Sequence, residues 1–201
     1  MDIQNSVMLK GELQGMNKIV DLQEGKLRIE EYLKMYNLKD DVTNFSAFIF
    51  PVNSKLYDDV SIPSGHSPLN PKNLESNQEL FNQFTSDVRS YFIENEFSIT
   101  VVRDKKKEVK YEVLQNIDII LPILTFVGAQ ATALGINLLA SYVWEKFRER
   151  KTSTIQADVV ELKTDDMSYK RYKVSGSAEE VVEALRILSK EKVEKNEDDG
   201  K

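Results

Sequence analysis

Hydrophobic positions along this chain follow two periods, a helical one and a strict alternation, and their order predicts a mixture of helices and strands. In "KLRIEEYLKMYNL" (26–38), Ile29, Tyr32, Leu33 and Tyr36 share one helical face with charges between them, which predicts a helix. "FSAFIFPV" (45–52) is rich in aromatic and β-branched residues and runs into Pro51, so it reads as a buried strand. Ser76 and Glu79 have the spacing of a capping box, and Leu80, Phe81, Phe84, Val88, Tyr91 and Phe92 follow as an apolar stripe, predicting a helix that starts there. "FSITVVRDKKKEVKYEVL" (97–114) then shows two alternating runs joined by a charged turn, the pattern of a β-hairpin with a lysine-rich tip.

The same kinds of element recur further on. "STIQADVVEL" and "MSYKRYKV" bracket "KTDD" and predict a second hairpin. Ser177 and Glu180 form another capping box, with Val181, Ala184, Leu185 and Leu188 as the buried stripe of the helix behind it. Residues 195–201, ending in "NEDDGK", are too polar to pack and are expected to be disordered.

Between the two hairpins lies the longest apolar stretch, "LPILTFVGAQATALGINLLASYVWEKFRERK" (121–151). Residues 119–143 are long enough to span a bilayer, which needs about 20 mostly apolar residues. Projected on a helix, however, Gln130, Asn137, Ser141 and Arg148 form a polar stripe with Glu145 beside it, and Gly128, Ala131, Thr132 and Gly135 make a face of small residues. A lipid-facing helix has no use for a polar stripe. Asp118 as N-cap and Pro122 in the first turn suit an ordinary helix start. The favoured expectation is therefore a buried core helix, and a single membrane span is the alternative. Trp144 completes the core in the first case and sits at the membrane interface in the second.

The fold class that follows is α+β, with antiparallel hairpins and amphipathic helices packed around one long central apolar helix. Residues 1–117 form an N-terminal α+β region containing a Pro-rich loop at 53–76, with Pro63, Pro68, Pro71 and Gly65. Residues 118–194 supply the long helix, a hairpin and the last helix.

Composition narrows the chemistry. The 201 residues hold 33 acids against 27 bases, a formal net charge of -6, so nucleic acid is not an expected partner. The absence of cysteine excludes disulfides, thiolate metal sites and a cysteine nucleophile. "MDIQNSVMLKGELQGMNKIV" has an early acid and no sustained apolar core, so it does not read as a signal peptide, and the expected location is cytoplasmic, with the membrane as alternative.

The single histidine, His66, stands between serines in the Pro-rich loop, but no acid or oxyanion hole can be paired with it from the sequence. Asp40–Asp41, Asp58–Asp59 and Asp165–Asp166 are carboxylate pairs of the kind that hold Mg²⁺ or Ca²⁺, without an EF-hand pattern around them. No phosphate-binding glycine loop is present. No catalytic, cofactor-binding or metal-ligating residue is therefore expected. Two basic runs, 103–110 and 146–151, are interleaved with acids and read as solvated surface.

From Leu121 onward the layout resembles a group of bacterial proteins called effector-associated constant components. The similar features are the Gly/Ala-containing apolar segment ending in an aromatic and basic cluster ("GAQATALGINLLASYVWEKFRERK"), a hairpin, and "SAEEVVEALRIL". The resemblance implies an accessory or adaptor role beside an effector in bacterial conflict systems, without enzymatic activity. Together these readings lead to a non-enzymatic protein that binds another protein.

Overall fold

The computed structural model describes residues 20–26, 46–52, 75, 77–112, 118–163 and 168–198. The elements are β1 (Val20–Lys26), β2 (Ala47–Ile49), β3 (Gln78–Asn82), α1 (Thr85–Glu94), β4 (Ile99–Val101), β5 (Glu108–Glu112), β6 (Ile119–Ile120), β7 (Leu124–Val127), α2 (Gly128–Phe147), β8 (Ile155–Leu162), β9 (Ser168–Gly176) and α3 (Ala178–Asp198). Seven strands make one mixed sheet in the order β1-β9-β8-β7-β2-β4, with β6 also on β8, while β3 and β5 form a separate parallel pair. The architecture is α+β, as the periodicities predict.

Several expected elements are present. Residues 47–49 form β2 as a wholly buried strand. β8 and β9 pair antiparallel from Ile155↔Gly176 to Leu162↔Tyr169, as the second hairpin requires. At the start of α3 the backbone N–H of Ser177 donates to Glu180 Oε2 at 2.8 Å, and the Glu180 N–H donates back to Ser177 Oγ at 3.4 Å. Val181, Ala184, Leu185 and Leu188 are all buried behind this cap.

Three expectations are corrected. The helix read from the Ser76–Glu79 spacing begins later, because Leu80 and Phe81 are taken by strand β3, in register with Lys110 and Tyr111 of β5. Glu79 lies in that strand and, buried, accepts the backbone N–H of Asp104 at 3.0 Å. Asn82 opens the turn into α1 instead: its Oδ1 accepts the Phe84 N–H at 2.8 Å and its Nδ2 donates to the Ile120 carbonyl at 2.8 Å.

The hairpin expected at 97–114 is not one. β4 pairs in parallel with β2, and β5 pairs in parallel with β3, in a different sheet. The alternation marks two strands correctly but says nothing of their partners, and the charged residues between them carry the chain from one sheet to the other.

The helix expected at 119–143 is a strand followed by a helix. Leu121 to Val127 are not helical, Asp118 precedes a strand instead of capping a helix, and β6 and β7 both lie along β8. Ile120 is opposite Gln156 and Leu124 opposite Val159, so one extra residue is accommodated at "LPI". Pro122, with no N–H to donate, sits at that interruption, as proline does within a sheet. A continuous apolar run is what a strand buried on both faces requires, and it cannot be told from a buried helix by periodicity. The chain turns into α2 at Gly128, whose φ of +80° lies in the left-handed region that favours glycine. The long central helix of the expected fold is therefore replaced by this strand–helix unit. Among the described residues no helix is long and apolar enough to cross a membrane.

Strands from before and after residue 118 share the large sheet, and α3 continues to Asp198, into the segment expected to be disordered. The helices cover one face of the sheet. Ile49, Leu124, Phe126, Ile155 and Val159 meet Val88, Phe92, Ile136, Leu139, Val143, Val181 and Leu185 there in one continuous core. The opposite face is buried too: Phe48, Thr125, Val160 and Arg171 form one row across β2, β7, β8 and β9 and are all inaccessible.

Candidate interaction surface

The outward side of α2 is built by what its inward side buries. Thr132, Ala133, Gly135, Ile136, Leu139, Ala140, Tyr142, Val143 and Phe147 are buried. Burial of the large apolar side chains among them, Ile136, Leu139, Val143 and Phe147, contributes about 1.5–3 kcal/mol each, so this face is firmly seated. A Cβ on Gly135 would stand 2.0 Å from Phe126 Cε1, which shows how closely the helix lies on β7. Of the expected small-residue face, Thr132 and Gly135 are buried and Gly135 makes the close approach to the sheet, while Gly128 and Ala131 are half-buried. α3 lies along the other flank of α2, where Ser189 Oγ donates to the Ala133 carbonyl at 3.0 Å.

α1 braces the C-terminal half of α2. The Tyr142 hydroxyl donates to Asp87 Oδ2 at 2.8 Å, and Lys146 Nζ stands 3.5 Å from the other oxygen of that carboxylate. The Tyr91 hydroxyl donates to Glu145 Oε1 at 3.0 Å. Edge-to-face ring contacts join Tyr91 to Tyr142, Tyr142 to Phe147 and Phe84 to Phe147, with centroids 5.3, 5.8 and 5.7 Å apart. Desolvation, then the hydrogen bond and charge of Glu145, push the Tyr91 phenol up to about 12. Burial, followed by Asp87, pushes the Tyr142 phenol up as well. Both rings remain neutral donors at physiological pH.

This leaves Gln130, Leu134, Asn137, Ser141, Trp144, Glu145 and Arg148 exposed along one side of α2. The polar stripe predicted from the sequence is therefore solvent-facing. Two large apolar residues share that side: Leu134 is 54% exposed and Trp144 39%. Trp144 does not complete the core. Leu134 was not singled out in the sequence, although the helical projection that groups Gln130, Asn137 and Ser141 also brings Leu134 to their side. The chain beyond α2 continues the surface with exposed Arg148, Glu149, Arg150 and Lys151, and the Arg150 guanidinium lies 5.7 Å from the centroid of the Phe147 ring.

His66, Asp40–Asp41, Asp58–Asp59 and Asp165–Asp166 lie outside the described residues. Among the described residues no group of three or more His, Asp or Glu side chains is placed to hold a metal ion. In the basic run 103–110, Lys110 Nζ pairs with Glu108 at 2.5 Å and Gln78 donates to the same carboxylate at 3.0 Å. The lysine hydrogen bond, followed by that of Gln78, holds the Glu108 carboxyl below its ordinary range. Buried Arg171 makes a two-point contact with Asp158, Nε to Oδ1 at 2.8 Å and Nη2 to Oδ2 at 2.5 Å. Comparison of the chain with family models, with curated proteins and with solved structures yields no match.

Proposed function

We propose that this protein is a non-enzymatic interaction component that recruits another protein through the outward side of α2, in the manner of an accessory subunit beside an effector. The observation that carries this reading is the exposure of Leu134 and Trp144 on a helix whose opposite side is anchored to the sheet and to two other helices. An exposed tryptophan beside arginines on a firmly seated helix has the composition that dominates protein interfaces, and Leu134 extends the apolar part of that side. Rigidity lowers the ordering cost of association. The resemblance of the C-terminal part to effector-associated constant components supports an accessory role and a bacterial setting.

The test is chemical crosslinking in cells of the natural source, followed by identification of the crosslinked species, with the wild type and the Leu134→Glu and Trp144→Glu variants. Circular dichroism controls for folding, which both exposed positions should preserve. A specific partner recovered with the wild type and lost with both variants supports the proposal. A partner recovered equally with all three, or none recovered with the wild type, sinks it.

A further inference from the structure

We infer that the partner docked at the C-terminal end of α2 is an acidic protein segment carrying an apolar side chain, the apolar group resting on Trp144 and its carboxylates meeting Arg148, Arg150 and Lys151. This rests on the reading of α2 as a docking face and adds the chemistry of what docks.

Charge carries the argument. The whole chain is acidic, at -6, yet residues 144–151, "WEKFRERK", hold four bases and two acids, so this end of the helix has the sign opposite to the molecule. All four bases are exposed. Asp87 of α1 already stands 3.5 Å from Lys146, and Glu145 accepts the Tyr91 hydroxyl at 3.0 Å, so Arg148, Arg150 and Lys151 are the bases this end offers to a partner. The Arg150 guanidinium carbon lies 5.7 Å from the centroid of the Phe147 ring, a contact that contributes about 0.5–1 kcal/mol at an exposed site. A guanidinium so placed is suited to two-point recognition of a carboxylate. Trp144, at 39% exposure, offers an amphipathic ring beside these charges, and tryptophan and arginine are the side chains that dominate protein interfaces.

A polypeptide fits this arrangement better than a lipid surface. The apolar exposure is limited to single side chains, with Asn137, Ser141 and Glu145 exposed on the same side, whereas insertion into a bilayer calls for a continuous apolar face. The interleaved acids also disfavour a polyphosphate backbone, which would meet Glu149.

The experiment is selection of a random peptide library displayed on phage against the full chain. The baits are the wild type, Trp144→Glu, and the triple variant Arg148→Glu/Arg150→Glu/Lys151→Glu, each checked by circular dichroism. The expected result is enrichment of Asp- and Glu-rich peptides with Leu, Phe or Trp. A synthetic copy of an enriched peptide should bind the triple variant about tenfold or more weakly, as loss of complementary interface charge predicts. Its affinity for the wild type should fall as salt rises. Trp144 is the sole tryptophan, so its emission should shift when the peptide binds.

Enriched peptides that are neutral or basic, lost with Trp144→Glu but kept by the triple variant, overturn the acidic partner while leaving the docking face intact. Enrichment indifferent to every variant, or no enrichment, overturns the inference without touching the crosslinking result. Phosphatidylserine vesicles are a separate arm. A shift of Trp144 emission with these vesicles, absent in the triple variant and unmatched by any peptide, assigns the patch to lipid instead.

Discussion

Gly135 shows how one residue sets the distance between two layers. Three atoms of the Phe126 ring would lie 2.0, 2.5 and 2.6 Å from a Cβ at this position. Phe126 cannot swing away, because it is stacked on Phe92 and edge-on to Phe97 within the core. Gly135→Ala should therefore lower stability by about 1–3 kcal/mol from overpacking, even though alanine is the better helix former. Urea unfolding checks this; a variant as stable as the wild type would show that the layers can part. Arg171 poses the opposite problem, a charge taken out of water at 3% exposure and held by Asp158. Asp158→Ala removes the two-point carboxylate partner of a buried guanidinium and should cost about 3–5 kcal/mol in the same assay. A cost below about 1 kcal/mol would place this pair among surface ion pairs. The close approach at Gly135 is foreshadowed by the small-residue face it belongs to, whereas Arg171 looks in the sequence like one of several bases on a strand.

Among the elements, those whose signals are local were legible and those whose partners are distant were not. The start of α3 is written in "SGSAEE", because a capping box needs only residues three apart. Ser177→Ala should destabilise the protein by about 1 kcal/mol. The backbone N–H of Ser177, and then its hydroxyl, hold the Glu180 carboxyl below its ordinary value. A lowered folded-state value means that the stabilisation is fully present above the unfolded carboxylate range and is lost as pH falls through the folded value. The stability gap between wild type and Glu180→Gln should accordingly be widest near neutral pH and close on acidification, as urea titrations at several pH values would show. A gap independent of pH would mean that the carboxylate does not bind this terminus. The Ser76–Glu79 spacing shows the limit of the same signal: Glu79 is used in a strand and bonds Asp104, because pairing of β3 with β5 buries Leu80 and Phe81 there. Leu121–Val127 and 97–114 went the same way, since strand partners far along the chain decide between helix and strand and between hairpin and crossover.

For the whole molecule, the sheet joins both halves of the chain. β2 stands between β4 and β7, and β1 closes the other side on β9, so residues 118–201 alone keep β8 between β7 and β9 but lack the outer neighbour of each. That fragment should show no cooperative urea transition and should bind a hydrophobic dye, whereas the intact chain should unfold in one transition. A sigmoidal unfolding curve from the fragment would establish it as an independent domain. The candidate docking face was half legible. The polar stripe of Gln130, Asn137, Ser141 and Arg148 follows from helical geometry, but whether Trp144 is buried depends on which neighbours α1 and α3 occupy. The sequence by itself determined the α+β class, the β8–β9 hairpin, the capped start of α3 and the solvent side of α2, because each rests on residues within a turn or two of one another. Only the tertiary structure decided that Ile119–Ile120 and Leu124–Val127 are strands, that β4 and β5 enter different sheets, and that Trp144 stays outside the core, because backbone pairing and burial are settled by segments distant in the chain.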